Sequence, residues 1–362
     1  MPVPLFASSL AGHLPRITER LAEVARSGRY ILGPEAEAFE RELAAYLGAR
    51  HCVGVGNGTD ALAIGLRTLG VGPGDEVVVP SFTFYATAEA VAAIGARPVF
   101  CDVDPASFCV TRETVERALT DRTRAIVPVH LFGNAAPVDA LRELDLPILE
   151  DAAQAAGSAL GGRRAGTLGH AAAFSFFPSK NLGGLGDGGA LVTSDDRVAE
   201  RARLLRSHGS RDKESYLEVG YNSRLDALQA AALRVLLPEL DAWNARRRAV
   251  AAAYAERGLG RHLELPEPSP GAEHVYHLYV ARHERPDALA GHLRARGVEA
   301  RSYYRVPVHR QPAMASFLPD GRTPDLPGTD EAARTNLALP MGPALAEDQI
   351  DEVVAACASG ST

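Results

Sequence analysis

The chain has 362 residues, 46% of them hydrophobic, with a formal net charge of −7 and a pI near 5.9. Such a balance offers no basic field for nucleic acid or an anionic membrane, and the apolar content suits a folded core rather than a disordered chain. No apolar run approaches the ~20 residues that span a bilayer and no charged leader precedes an apolar stretch at the N-terminus, so a cytoplasmic protein is expected.

The length suggests two units. From about residue 50 to 195, short apolar runs alternate with Ala/Leu/Arg-rich stretches. Strands are expected at 51–55, 76–80, 98–101, 125–129, 148–151, 173–176 and 190–193, with helices at 60–69, 83–94, 113–119 and 137–143. Continuous apolar strands separated by helices predict an α/β fold, a mostly parallel seven-stranded sheet covered on both faces, with ligands at the carboxyl ends of its strands. Residues 224–257 read as a long helix interrupted near Pro238, followed by a Pro-rich linker at 265–270. A strand at 277–281, a helix at 286–296, a strand at 298–301 and a helix at 347–357 then predict a smaller α+β unit. The expected division is 1–240, including the N-terminal segment, and 241–362. Cys52, Cys101, Cys109 and Cys357 have no metal-type spacing and read as reduced thiols, and no His/Asp/Glu constellation suggests a metal.

Of the 38 cationic side chains only two are lysines, Lys180 and Lys213. Lys180 lies between an apolar run and a glycine-rich loop, in Phe174-Ser-Phe-Phe-Pro-Ser-Lys-Asn-Leu-Gly-Gly. Lysine, unlike arginine, can be desolvated until its amine is a free nucleophile; alternatively Lys180 is a surface residue, as Lys213 reads. Upstream, Gly54-Val-Gly-Asn-Gly-Thr-Asp60 joins a strand to a helix, and reads either as a capped turn or as an anion site of exposed N–H groups with Thr59 as an added donor. Gly184-Leu-Gly-Asp-Gly-Gly189 matches a dinucleotide fingerprint by letter but runs into a strand where that motif needs a helix. Asp151 ends a buried strand, either as a helix cap or as the carboxylate that keeps a pyridine nitrogen protonated.

The strings Gly33-Pro-Glu, Gly56-Asn-Gly-Thr-Asp-Ala-Leu, Val79-Pro-Ser-Phe-Thr-Phe-Tyr-Ala-Thr, Asp102-Val-Asp-Pro, Pro128-Val-His-Leu-Phe-Gly, Glu150-Asp-Ala-Ala-Gln, the Lys180 segment and Gly220-Tyr-Asn-Ser-Arg-Leu-Asp occur in this order along nearly the whole chain. Together they resemble the DegT/DnrJ/EryC1/StrS family of sugar aminotransferases, which have the aspartate-aminotransferase type of fold and use pyridoxal 5'-phosphate. The resemblance implies that Lys180 forms the Schiff base and Asp151 partners the pyridinium nitrogen. It also implies that Gln154 lies by the ring hydroxyl, that Gly58, Thr59 and Ser175 hold the phosphate, and that Phe84 stacks on the ring. Asn222 would reach the neighbouring subunit's cofactor phosphate, which implies a homodimer with sites at the interface.

Tyr303-Tyr-Arg-Val-Pro-Val-His-Arg-Gln-Pro312 is similar to the family's His-Tyr-Pro-x-Pro-x-His segment, with Tyr304, Pro307 and His309 matching and Tyr303 and Arg305 departing from it. Ala156 replaces the His of many members. Tyr304 and His309 are therefore expected beside the sugar nucleotide, and Arg305 and Arg310 read either as diphosphate contacts or as solvated loop charges. His130 reads as a structural or wall residue. The expected reaction is transfer of an amino group from L-glutamate to a keto sugar nucleotide, a dTDP-3-keto-6-deoxyhexose in the leading reading. A 4-keto isomer, a keto-inositol, a dehydration and a non-catalytic regulator are the alternatives, with the lysine at 180 against dehydration.

Overall fold

The computed structural model describes residues 2–318 and 321–360. Helices α1 (Leu14–Ser27) and α2 (Pro34–Leu47) come first. Pro34 opens α2, and Gly48 closes it in the left-handed region that a side chain would strain. Then follow β1 (His51–Val55), α3 (Gly58–Thr68), β2 (Glu76–Pro80), α4 (Ala86–Ala93), β3 (Arg97–Cys101), α5 (Arg112–Glu116), β4 (Thr123–Ile126), α6 (Val138–Arg142) and β5 (Leu149–Asp151). After the two-residue strands β6 (Ala159–Leu160) and β7 (Arg163–Arg164) come β8 (Ala171–Ser175), β9 (Gly189–Thr193) and α7 (Asp196–Leu205).

All seven expected strands form, but in two hydrogen-bonded sheets rather than one. Strands β1, β9, β8 and β5 make a mixed sheet in which β9 runs antiparallel to both neighbours, while β3, β2 and β4 make a parallel one. Isolated parallel bridges, Ile126 to Ile148 and Val129 to Asp151, connect the β4 segment to the β5 segment. Strand alternation explains the continuous apolar runs. Val53, Val55, Ala171, Ala173 and Leu191 pack on one face with Leu62, Ile64 and Leu66 of α3, while Cys52, Ala172, Phe174 and Val192 pack on the other with Phe39 of α2.

The expected long helix is two, α8 (Ala227–Leu236) and α9 (Leu240–Glu256), separated by a 3-10 turn at Leu237–Glu239 that holds Pro238. The two-residue strand β10 (Ala272–Glu273) precedes β11 (Tyr279–Arg282), α10 (Pro286–Ala295), α11 (Pro327–Thr335), β12 (Asn336–Leu339) and α12 (Glu347–Gly360). Residues 298–301 are not a regular strand; Val298 bridges Val3 and Arg301 bridges Ala338, each in isolation. The partner of β11 is instead β12. A separate apolar cluster joins α9, α10, α12, β11 and β12, and takes in Val3 and Ala7 from the N-terminal segment. All four cysteines are buried. No helix among the described residues is long and apolar enough to cross a membrane, and none of these residues form a metal-ligating cluster.

Candidate active site

Strands β1, β5 and β8 run in the same direction, so the segments after them meet at one sheet edge. Asn57 caps α3 by accepting the Asp60 N–H at 2.8 Å, which starts the helix at Gly58 rather than at the expected Asp60. The N–H groups of Gly58 and Thr59 find no acceptor among the described residues. A Cβ on Gly58 would stand 2.8 Å from the Ser175 Cβ, so the helix start and the end of β8 touch at a point with no room for a side chain. Gly189 does similar work: its Cβ would lie 2.4 Å from the Asn57 carbonyl. Gly189, the first residue of β9, is thus a packing requirement of the α3 loop, in keeping with the rejected dinucleotide reading.

Buried polar groups hold this loop. Glu40 Oε1 accepts the Gly54 N–H at 2.8 Å, and Arg206, paired with Glu40, donates to the Gly54 carbonyl at 2.8 Å. Ser223 accepts the Gly56 N–H at 2.9 Å and donates to Asp60 at 2.6 Å. Asn222, next in chain to that anchor, is exposed, and its side-chain oxygen accepts from Arg224.

Asp151 is buried at the end of β5 and makes no ion pair among the described residues. Its carboxylate accepts from the Thr87 hydroxyl at 2.8 Å and from the Ala153 N–H at 3.2 Å. Burial raises its pKa, opposed by the Thr87 hydroxyl, the Ala153 N–H and the charge of Lys180. Lys180 follows β8 through a turn closed by its N–H on the Phe177 carbonyl at 2.8 Å. Its side chain as a whole is half-buried, yet the surrounding protein desolvates the amine and lowers its pKa from 10.5 to about 8, with Asp151 opposing. Gln154 accepts the Phe132 N–H at 2.7 Å and donates to the Tyr304 hydroxyl at 3.0 Å. Phe84, by contrast, is 59% exposed.

His130 is fully buried. It accepts the Ala136 N–H on Nδ1 at 2.9 Å, so Nε2 carries the proton and donates to Glu150 at 2.8 Å. Glu150 also accepts from the N–H groups of Gly166, Leu168 and Gly169. His130 is a structural residue, with both ring nitrogens satisfied inside the fold. Glu150 and Thr87 escaped the sequence reading, although an acidic residue inside an apolar strand next to Asp151 is a signal for the first.

In the segment expected beside the sugar, Tyr304 stacks on Phe132 with ring centroids 5.9 Å apart, under a positive φ of 50°. His309 is buried and paired through Nδ1 with Ser81, and its Nε2 has no partner. Arg305 is bound to Asp287 and Ser302, and Arg310 to Asp330; both guanidinium groups lie at the surface.

The arrangement fits pyridoxal phosphate: free N–H donors at a helix start pressed against Ser175, a buried carboxylate without an ion pair, and an amine kept partly neutral near physiological pH.

Known proteins agree with the fold. The model of the DegT/DnrJ/EryC1/StrS aminotransferase family matches residues 14–358. The chain is 50% identical over 341 residues to a dTDP-3-amino-3,4,6-trideoxy-alpha-D-glucose transaminase of Streptomyces venezuelae, covering 92% of this chain and 89% of that one. It is 45% identical over 348 residues to a pleiotropic regulatory protein of Geobacillus stearothermophilus, covering 94% and 93%. The crystal structure of S. venezuelae DesV in complex with a ketimine intermediate superposes with a TM-score of 0.94 at 47% identity, covering 99% and 98%.

Proposed function

The chain belongs to the DegT/DnrJ/EryC1/StrS aminotransferase family, and from that premise we propose that it moves an amino group from L-glutamate to a dTDP-3-keto-6-deoxyhexose in amino sugar biosynthesis. It is a sugar nucleotide aminotransferase. The observation that carries the chemistry is the desolvated amine of Lys180, electrostatically coupled to the buried Asp151. The name of the S. venezuelae relative supports C3 as the carbon that receives the amine.

Pyridoxal phosphate, when bound, supplies an aldehyde for an amine and a ring that takes up electrons. The chain's residues do the rest. Gly58 and Thr59 offer N–H groups, and Ser175 a hydroxyl, to a phosphate. Asp151 would hold a proton on a ring nitrogen, with Thr87 orienting the carboxylate. Gln154, itself fixed by the Phe132 N–H, would offer its amide to the ring hydroxyl. Phe84 would offer its exposed face to the ring. Lys180, with a pKa near neutrality, accepts a proton from one carbon and returns it to another, its proximity replacing an external base. Tyr304 and His309 shape the sugar side.

Two coarser features extend this reading. Residues 1–240 form the cofactor-binding unit and 241–362 the smaller one, with the two sheets as halves of one seven-stranded sheet. The active unit is a homodimer to which each subunit contributes Asn222, a reading supported by the exposed apolar side chains Phe84, Phe177, Tyr216, Leu217 and Val219. The decisive experiment incubates the holoprotein with L-glutamate and a panel of 3-keto and 4-keto sugar nucleotides, and identifies the aminated carbon by NMR. Amination at C3 is expected; turnover of a keto-inositol alone would refute the assignment.

A further inference from the structure

Ser223 is 1% exposed and fastened at three points. Its N–H donates to the Arg206 carbonyl at 3.0 Å. Its hydroxyl accepts the Gly56 N–H at 2.9 Å and donates to the Asp60 carboxylate at 2.6 Å. A backbone N–H can only donate and a hydroxyl has one proton, so the direction of both bonds is fixed. The carboxylate acceptor makes the second bond the stronger one.

These contacts bracket the loop that offers donors to a phosphate. Gly58 and Thr59, whose N–H groups find no acceptor among the described residues, lie between Gly56 and Asp60 in the chain. One hydroxyl therefore staples the loop on both sides of its free donors. The staple has no slack: a Cβ on Gly56 would stand 3.3 Å from both the Ser223 Oγ and an Asp60 carboxylate oxygen. Arg206, whose carbonyl holds the Ser223 backbone, also donates from its guanidinium to the Gly54 carbonyl at 2.8 Å.

The same anchor fixes what precedes it in the chain. Residues 221–223 run beside 205–208. The Tyr221 N–H donates to the Leu205 carbonyl at 2.7 Å, and the His208 N–H to the Tyr221 carbonyl at 2.8 Å. Ser207 and Asn222 form an antiparallel bridge between them. Asn222 is thus exposed on a short ladder, one residue from the staple.

We propose that Ser223 is a positioning residue that locks Asn222 to the phosphate loop. One buried hydroxyl then sets both the N–H donors that a subunit keeps for its own cofactor phosphate and the side chain that it contributes to its neighbour's. This rests on the pyridoxal phosphate and homodimer readings and adds to them a link: a disturbed loop in one subunit displaces the residue that the other subunit's phosphate needs. Ser223 acts only through these neighbours.

In the test, the holoprotein is dialysed to equilibrium against a series of free pyridoxal phosphate concentrations, and bound cofactor is read from the band of about 420 nm. Sedimentation reports the dimer and circular dichroism the fold. Ser223→Ala should raise the half-saturating concentration about 10- to 30-fold, because the loop loses both contacts. Asp60→Asn keeps an acceptor for the hydroxyl without the charge and should raise it about threefold; this variant carries the test if alanine misfolds. Asn222→Ala should raise it about tenfold. The double variant Ser223→Ala/Asn222→Ala should show much less than the product of the two factors, since a displaced Asn222 has little left to lose. The phosphorus NMR resonance of the bound cofactor should move toward its free position in each single variant. A purely structural defect would lower the melting temperature and leave that resonance in place.

An unchanged half-saturating concentration and resonance in Ser223→Ala would overturn the proposal, as would effects of the two residues that simply multiply. Wild-type protein that binds no pyridoxal phosphate, or that sediments as a monomer while holding it, would instead remove the readings on which the proposal rests.

Discussion

The sheet edge at β1, β5 and β8 and the segment 303–311 border the same region but are built differently. At the edge the polar groups are buried and pinned: Asp151 by Thr87 and Ala153, Gln154 by Phe132 and Tyr304, and the α3 loop by Glu40, Arg206 and Ser223. In the segment, Arg305 and Arg310 are exposed and satisfied by Asp287 and Asp330, and Val306 is 52% exposed, while Tyr304, Val308 and His309 turn inward. Preorganised, desolvated groups suit chemistry that is the same for every substrate. Solvated loop residues can change without disturbing a core, which suits selection among sugars.

If the edge carries the chemistry, substitutions there should have the largest effects. Lys180→Ala should lower turnover by at least about 10³-fold, because both the nucleophile and the proton carrier disappear. The purified variant should lack the yellow band of about 420 nm expected of the holoprotein. Full turnover by this variant would end the reading. Asp151→Asn comes next, at about 10²- to 10³-fold in kcat, since it removes one preorganised charge and leaves the fold. An unchanged far-UV spectrum with lost turnover is the expected pattern.

A pH experiment isolates desolvation from chemistry. In the apoprotein, Lys180 titrates near 8 folded and near 10.5 unfolded, so between these values the unfolded chain binds the extra proton and stability rises with pH. Below about 8 both states are protonated and the full cost remains. Lys180→Met should therefore stabilise the apoprotein at pH 7, by about 1–3 kcal/mol once the loss of Asp151's neighbour is counted. In urea unfolding this gain should shrink toward pH 10.5; a gain independent of pH would show that the amine is not desolvated.

The same contrast explains what was legible beforehand. Strands β1, β2, β8 and β9 could be read because both faces are covered and the apolar runs are continuous. Asp151 and Lys180 stood out as polar residues in apolar company. The isolated pairings of Val298 and Arg301 could not be read, because partners Val3 and Ala338 lie far away in sequence and each contributes one bridge. Thr87 was missed for a related reason: its hydroxyl points from α4 to a carboxylate 64 residues later, and local pattern carries no trace of that.

The smallest effect tests the other side of the comparison. Arg305→Gln and Arg310→Gln each break an exposed ion pair, and surface pairs of this kind contribute under ~1 kcal/mol, so the melting temperature should barely move. Their effect on the sugar nucleotide separates two uses of a surface arginine. A guanidinium already satisfied by a neighbouring carboxylate gains little by exchanging that partner for a diphosphate, so KM for the sugar nucleotide should rise less than about threefold. A tenfold or larger rise at unchanged stability would mean that Asp287 or Asp330 releases its arginine when the nucleotide arrives. The segment would then resemble the sheet edge in making polar contacts with its ligand, and differ in assembling them only on binding.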